Sequence, residues 1–269
     1  MDMITCPLYS GSSGNCTYVQ YGNTRLLVDA GRSGKMITDA LKYIGVAPEQ
    51  LDGILLTHEH NDHILGAGIL SRKYHLPIYA TEGTWRGAEA KLGKIDPALC
   101  VRFDRDSDFY LGDIGVVPFA IPHDAEEPCG FRLYGGGISM GIATDLGHFT
   151  HEIRDALSGC GLVLLESNHD PDLVKMNDHY TARLKQRILS NKGHLSNQSA
   201  AEAVVELAST GVRNVILGHL SGENNRPELA LQTSENVCEL EGLRLGLDIH
   251  LDLAWRDRVG GVYTLREGF

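Results

Sequence analysis

Between a buried apolar strand, Gly53 to Thr57, and an apolar helix running to about Lys73 lies the segment Thr57-His58-Glu59-His60-Asn61-Asp62-His63. No other stretch of the chain restricts its fold so much. Three imidazoles and a carboxylate on one short turn are the nitrogen and oxygen donors that divalent transition metals favour. His58 and His60, two apart on an extended loop, can share one ion. Asp62 and His63, at the start of the helix, point differently and suit a second. A polar loop that merely happens to be rich in histidine is the plainer alternative, so further donors elsewhere are what matter next.

Those donors sit at strand ends. His123 follows the strand Val116 to Phe119, Asp145 follows Ile138 to Ala143, and His219 follows Val215 to Leu217. The carboxyl ends of buried strands are where α/β proteins assemble their sites. His148 is the reserve donor should His123 fail. The run Arg25 to Asp29 is a further buried strand, delivering an acid into an Asp-Ala-Gly turn, and Pro77 to Ala80, Gly130 to Tyr134 and Leu162 to Leu165 read likewise. Arg244 to Leu253 and Gly261 to Leu265 read as a terminal pair of strands. Helical spacing covers Lys35 to Ile44, Thr81 to Leu92, Thr181 to Leu189 and Ser196 to Ala208. Strands alternate with helices in both halves. The expected class is therefore α/β, with layered sheets covered by helices, in one domain spanning residues 1–269.

The formal net charge of −11 argues against a broad basic face that coats nucleic acid. It does not exclude a nuclease, because divalent cations would supply positive charge where a phosphate sits. The distribution is more telling than the total. From His179 through Ala201 there is no acid, whereas Arg183, Lys185, Arg187 and Lys192 are present. Arg183 and Arg187 share a helix face, which suits a track for a phosphate backbone or, more plainly, a solvated surface. Six cysteines without a Cys-x-x-Cys pair read as reduced thiols. With neither a signal peptide nor an apolar stretch long enough to span a bilayer, the expectation is a cytoplasmic protein without membrane partners.

With these residues in view, the chain resembles the metallo-β-lactamase superfamily: Leu27-Val28-Asp29-Ala30-Gly31, then His-x-His-x-Asp-His, then His, Asp and His. More narrowly it resembles the bacterial YycJ/WalJ-type hydrolases. The stretches that carry this likeness are Ser10 to Asn15, Ile121 to Ala125, Glu166 to Asp170, Gly193 to Asn197 and Leu217 to Asn225. The resemblance implies an αββα sandwich and a 5′→3′ DNA exonuclease that uses a metal-bridging hydroxide as its nucleophile. It implies two divalent ions, zinc or manganese, and no organic cofactor. His58, His60 and His123 would hold one ion and Asp62, His63 and His219 the other, with Asp145 bridging. Asp62 counts as catalytic as well as ligating. Asp29 would hydrogen-bond behind the ligands or cap its turn.

By likeness to ribonuclease Z-type relatives, Glu166 would orient His194 and raise its pKa, and His194 would protonate the departing oxygen. Ser12, Ser196, Ser221 and Asn224 are candidate neutral donors to phosphate oxygens, with Arg183 and His169 as further substrate contacts. Ser196 equally suits a helix N-cap. Zinc β-lactamases typically carry Cys where Asp145 stands, which weighs against β-lactam hydrolysis. The rival readings are a thioesterase, lactonase or cyclic-phosphodiester hydrolase of the same fold, and a non-catalytic metal-binding scaffold.

Overall fold

Runs such as Leu26-Leu27-Val28 and Leu162-Val163-Leu164-Leu165 are apolar on both faces, so strands made from them need cover on both sides. The computed structural model describes residues 1–267; the last two residues of the span expected as one domain lie outside them. Two seven-stranded sheets stack face to face. The first runs β14 (Tyr263–Leu265), β1 (Met3–Tyr9), β2 (Cys16–Tyr21), β3 (Thr24–Val28), β4 (Gly53–Leu55), β5 (Ile78–Ala80) and β6 (Cys100–Arg102). The second runs β13 (His250–Leu253), β12 (Asn214–Gly218), β11 (Leu162–Glu166), β10 (Ile138–Ala143), β9 (Cys129–Gly135), β8 (Ile114–Ala120) and β7 (Phe109–Leu111).

Alternation along each strand sorts the side chains between layers. Leu26, Val28, Leu162 and Leu164 point into the core between the sheets, with Phe131 and Met140. Leu27 points outward, under α1 (Gly34–Tyr43), α3 (Ala67–Tyr74) and α4 (Glu82–Leu92). Val163 and Leu165 point outward under α5 (His151–Leu157), α8 (Asn197–Ser209) and α9 (Pro227–Leu240). The architecture is the αββα sandwich. Three short helices lie near the rim where the site forms: α2 (Asn61–Ile64), α6 (Pro171–Met176) and α7 (Ala182–Ile188). Among the described residues no helix is long and apolar enough to cross a membrane.

The structure differs from expectation in several places. The terminal strands do not pair: β13 lies beside β12 in one sheet and β14 beside β1 in the other. Residues 246–248 form a turn closed by a bridge between Leu245 and Ile249. The helix expected through Lys73 is two, α2 and α3, because Gly66 donates its backbone N–H to Ala30 O at 2.8 Å. Strand β1 was hidden by Pro7, which cannot donate to a ladder. Its partner β14 reaches only Thr5, and the pairing with β2 shifts register between Pro7 and Tyr9, so the missing N–H costs no bond there.

Candidate metal centre

Strand ends at one edge of the sandwich converge on the site, and several turn there through a conformation that L-residues rarely adopt. Asp29 (φ 61°) leaves β3, Asp145 (φ 60°) follows β10, and His219 (φ 54°) leaves β12. Left-handed backbone at a non-glycine residue costs on the order of 1 kcal/mol or more and persists where surrounding structure holds it. Here it swings side chains from two sheets toward one point.

Four imidazoles there, those of His58, His63, His123 and His219, share a design. One ring nitrogen is held from behind, which leaves the other facing inward. His63 Nδ1 lies 2.7 Å from Asp29 Oδ2 and His219 Nδ1 lies 2.7 Å from Glu166 Oε1. His123 Nδ1 lies 3.1 Å from Gly193 O. His58 Nδ1 meets Thr57 Oγ1 at 3.0 Å, and that hydroxyl donates to Asp29 Oδ2 at 2.9 Å. Thr57 N–H also donates to Asp29 Oδ1, at 2.9 Å. The loop Ser10 to Asn15 braces the far side. Asn15 Nδ2 sits 3.0 Å from His63 Nε2, and Ser10 Oγ accepts from His219 N–H at 2.9 Å.

Donor atoms of His58, His60 and His123 lie within 4.8 Å of one another, as do those of Asp62, His63 and His219. Asp145 joins both neighbourhoods: its Oδ2 is 2.7 Å from His63 Nε2 and its Oδ1 is 3.6 Å from His123 Nε2. Buried polar atoms are ordinarily hydrogen-bonded, yet the Nε2 atoms of His58 and His219 are buried without a partner. His60 Nδ1 and His123 Nε2 meet at 3.2 Å, two ring nitrogens turned toward one another. Unpaired nitrogens aimed at one another beside a carboxylate are what a divalent cation satisfies, so the residues fit a metal centre. Burial, reinforced by His63, holds His58 well below its ordinary pKa, in the neutral form that ligates. Burial would raise the Asp145 carboxyl, but His219 and His63 outweigh it and hold the group well below the usual range.

Glu166 is fully buried at the end of β11. It takes His194 Nδ1 at 2.9 Å and His219 Nδ1 at 2.7 Å on Oε1, and the backbone N–H groups of Leu146 (2.8 Å) and Leu195 (3.1 Å) on Oε2. Both oxygens are committed, so Glu166 braces histidines and has little left for a metal. Burial opposes its charge, yet the two histidines draw its pKa down to about 2. Burial likewise would depress His194, but the charges of Glu166 and Asp145 prevail and raise it above the ordinary imidazole value.

A cleft of about 330 Å³ opens over these groups, lined by Ser12, His60, Asp62, Asp145 and His194. The other substrate candidates fall elsewhere. Ser196 caps α8, accepting from Ser199 N–H. Ser221 Oγ accepts from Asn224 N–H at 3.1 Å, and Asn224 Oδ1 from Asn177 Nδ2 at 2.8 Å, so both knit a loop. His169 is buried, and burial brings its pKa down to about 4. Arg183 is exposed on α7 and absent from the cleft lining, whereas Arg187 is present there, paired with Asp124 at 2.5 Å. The reserve donor His148 bonds Asn191 O instead. Sequence reasoning passed over Lys91, which lines the cleft, and Thr57, which ties Asp29 to two ligands. Thr57 precedes the histidine motif directly, which was its only signal.

Replacing Thr57 by Val keeps the shape and removes the hydroxyl that joins His58, His63 and Asp29. Metal affinity is expected to fall about 10- to 100-fold, the usual effect of losing a group behind the ligands. Titration of the stripped protein with manganese or zinc, followed calorimetrically, measures it. An unchanged affinity would mean the hydroxyl is a bystander.

Two facing sheets with a histidine- and aspartate-rich donor cluster at their shared edge define the metallo-β-lactamase fold. The family model described as beta-lactamase superfamily domain matches residues 24–220. The chain is 42% identical over 243 residues to exodeoxyribonuclease WalJ of Streptococcus pneumoniae, covering 90% of each protein. It is 38% identical over 245 residues to exodeoxyribonuclease YycJ of Bacillus anthracis, covering 90% of this chain and 92% of that one. The chain therefore belongs to the metallo-β-lactamase superfamily and, within it, to the WalJ/YycJ family. Among solved structures, the metallo-β-lactamase fold protein YhfI from Bacillus subtilis superposes with a TM-score of 0.70, covering 98% of this chain and all of that one, at 17% identity, a likeness of fold alone.

Proposed function

We propose that this chain is a metal-dependent exodeoxyribonuclease, removing nucleotides from DNA in the 5′→3′ direction with two divalent ions, zinc or manganese. Family membership supports the substrate, since both curated relatives are named as exodeoxyribonucleases. The single observation that carries the chemistry is the Glu166–His194 pair beside Asp145, with His194 Nδ1 at 2.9 Å from Glu166 and 3.4 Å from Asp145. A carboxyl or thioester substrate with a good leaving group has little use for such a proton store. A phosphodiester leaving through a sugar oxygen does.

His58, His60 and His123 would hold one ion and Asp62, His63 and His219 the other, with Asp145 between them. Bound there, two divalent ions would neutralise phosphodiester charge and acidify a water toward a pKa of about 7. Glu166 and Asp145 keep His194 protonated, its Nδ1 is engaged by Glu166, and its Nε2 remains for the departing oxygen. Lys91 lines the same cleft and adds positive charge around a phosphate, whereas Arg187 there is paired with Asp124. We take residues 1–269 as one domain, because donors come from both sheets and neither half assembles the site alone. A cytoplasmic location is consistent with six free thiols.

The test is release of nucleotides from linear DNA labelled at the 5′ or the 3′ end, with manganese, zinc or chelator. Metal-dependent loss of the 5′ label as mononucleotide is the expected result. Early loss of the 3′ label would reverse the polarity. DNA left intact under every metal would turn the search to thioesters, lactones and small cyclic phosphodiesters.

A further inference from the structure

We propose that a groove beside the metal centre, between the 220–226 and 254–258 segments, carries the single strand of DNA leading away from the reacting phosphodiester. Arg256 and Arg258 hold its phosphates there. This rests on the exodeoxyribonuclease reading and assigns the substrate's path across the surface.

The groove encloses about 300 Å³ and is lined by Leu220, Ser221, Trp255, Arg256 and Arg258, with Asp257 as its one acid among the described residues. It shares no lining residue with the catalytic cleft but is joined to it through the backbone. Leu220 follows the candidate ligand His219 directly and bridges to Gly11, whose neighbour Ser12 lines the cleft. Arg32 ties the two together from below. Its Nη2 donates to Ser13 Oγ at 2.8 Å and to Arg256 O at 2.5 Å. These links set the wall of the groove against the loop that carries Ser12 of the cleft.

The charge here is uncommitted. Arg86, Arg102, Arg154, Arg187, Arg244 and Arg266 each face a carboxylate. Among the described residues Arg32, Arg256 and Arg258 face none, as is also true of Arg25, Arg72, Arg105, Arg132, Arg183, Arg213 and Arg226; what sets these three apart is that they neighbour one another beside the site. In a chain of net charge −11, neighbouring unpaired guanidinium groups are a local reversal of sign. Such groups bind phosphate by releasing its counterions.

The side chains are also held ready. Arg258 stacks on Trp255, its guanidinium carbon 3.6 Å from the ring centroid. Stacking fixes a flexible cation as a flat plate, leaving its outer face for a base and its edge N–H groups for phosphate oxygens. Arg256 lies across both site loops. A Cβ at Gly11 would sit 2.7 Å from Arg256 Cγ and 3.0 Å from Leu220 O, and one at Gly222 would meet the guanidinium tip of Arg256. The two glycine-bearing loops that frame the metal centre thus also seat this arginine. By contrast, Arg187 of the acid-free 179–201 stretch is held by Asp124, and Arg183 stands outside the cleft.

The test compares steady-state cleavage of a single strand of about 20 nucleotides with that of a 5′-phosphorylated dinucleotide, using the manganese-loaded full chain. In Arg256→Ala/Arg258→Ala, KM for the long strand should rise about 10-fold with kcat little changed. The preference for the long strand over the dinucleotide should fall by the same factor. The dependence of log kcat/KM on log salt should become shallower by about one for each phosphate that is no longer neutralised. Arg258→Glu, a single exposed change, should move every readout the same way and guards against a misfolded double variant. Equal losses on both substrates, or no loss on either, overturn the groove. If the wild type leaves both DNAs intact, the exodeoxyribonuclease reading falls first and takes the groove with it. Wild-type cleavage with an unchanged double variant overturns the groove alone.

Discussion

Asp145→Asn is expected to abolish DNA cleavage, lowering kcat by at least about 10³-fold, with the fold intact. The reasoning separates backbone from charge. Asp145 holds φ at 60°, and asparagine is among the few residues that tolerate this conformation. The substitution therefore keeps the turn after β10 and removes only the anion. That anion faces His63 at 2.7 Å, His194 at 3.4 Å, His219 at 3.5 Å and His123 at 3.6 Å. Without it the two histidine groups face one another with no negative charge between them, and like charges brought in by two cations would be uncompensated. Losing a group behind a metal ligand typically costs 10- to 100-fold; losing the central carboxylate itself should cost more. Rates on labelled DNA, metal content per chain and circular dichroism on the same preparation check it. A folded variant with wild-type rates would remove Asp145 from the site.

His194→Ala is expected to slow cleavage of DNA by roughly 10²- to 10⁴-fold, the usual contribution of a positioned general acid. The loss should be far smaller for bis(p-nitrophenyl) phosphate, whose leaving group departs as a stable anion and needs no proton. That contrast is what distinguishes a proton donor from a residue that only shapes the cleft. The pH profile supplies an independent sign. Burial would lower the His194 pKa, but Glu166 and Asp145 raise it, so the donor form persists above the ordinary imidazole range. In the wild type, kcat should hold through neutrality and fall as pH rises through that elevated value. The alanine variant should lack this alkaline limb on DNA. Equal losses on both substrates, with the limb retained, would leave His194 without a proton-transfer role.

Much of the site could be read along the chain because its donors come in short, dense motifs. His58, His60, Asp62 and His63 are local to one loop, and His123, Asp145 and His219 stand at strand ends that the fold brings beside it. The substrate contacts were less legible. Ser196, Ser221 and Asn224 have the right chemistry, but the hydroxyl oxygens cap nearby backbone, Asn224 Oδ1 is bound by Asn177, and none of the three lines the cleft as Ser12 does. A serine's partners depend on the turn it occupies, and sequence spacing does not specify that turn. Helix α9 went unrecognised for a related reason: its buried stripe consists of Ala230, Ser234 and Cys238, small residues that make a weak periodic signal.

By itself the sequence determined the dense His/Asp motif, the doubly apolar strands and hence the layered α/β class, because these depend on residue type and short-range period alone. Only the tertiary structure decided which cations stay free. Arg187 and Arg258 are equally basic as letters, yet one closes on Asp124, distant by 63 positions, and the other lies on Trp255 at the mouth of the site. It also decided that β13 and β14, neighbours in the chain, belong to opposite sheets. Ion pairing and strand pairing are settled by what the folded chain brings within a few ångströms, and that proximity is a property of the whole fold.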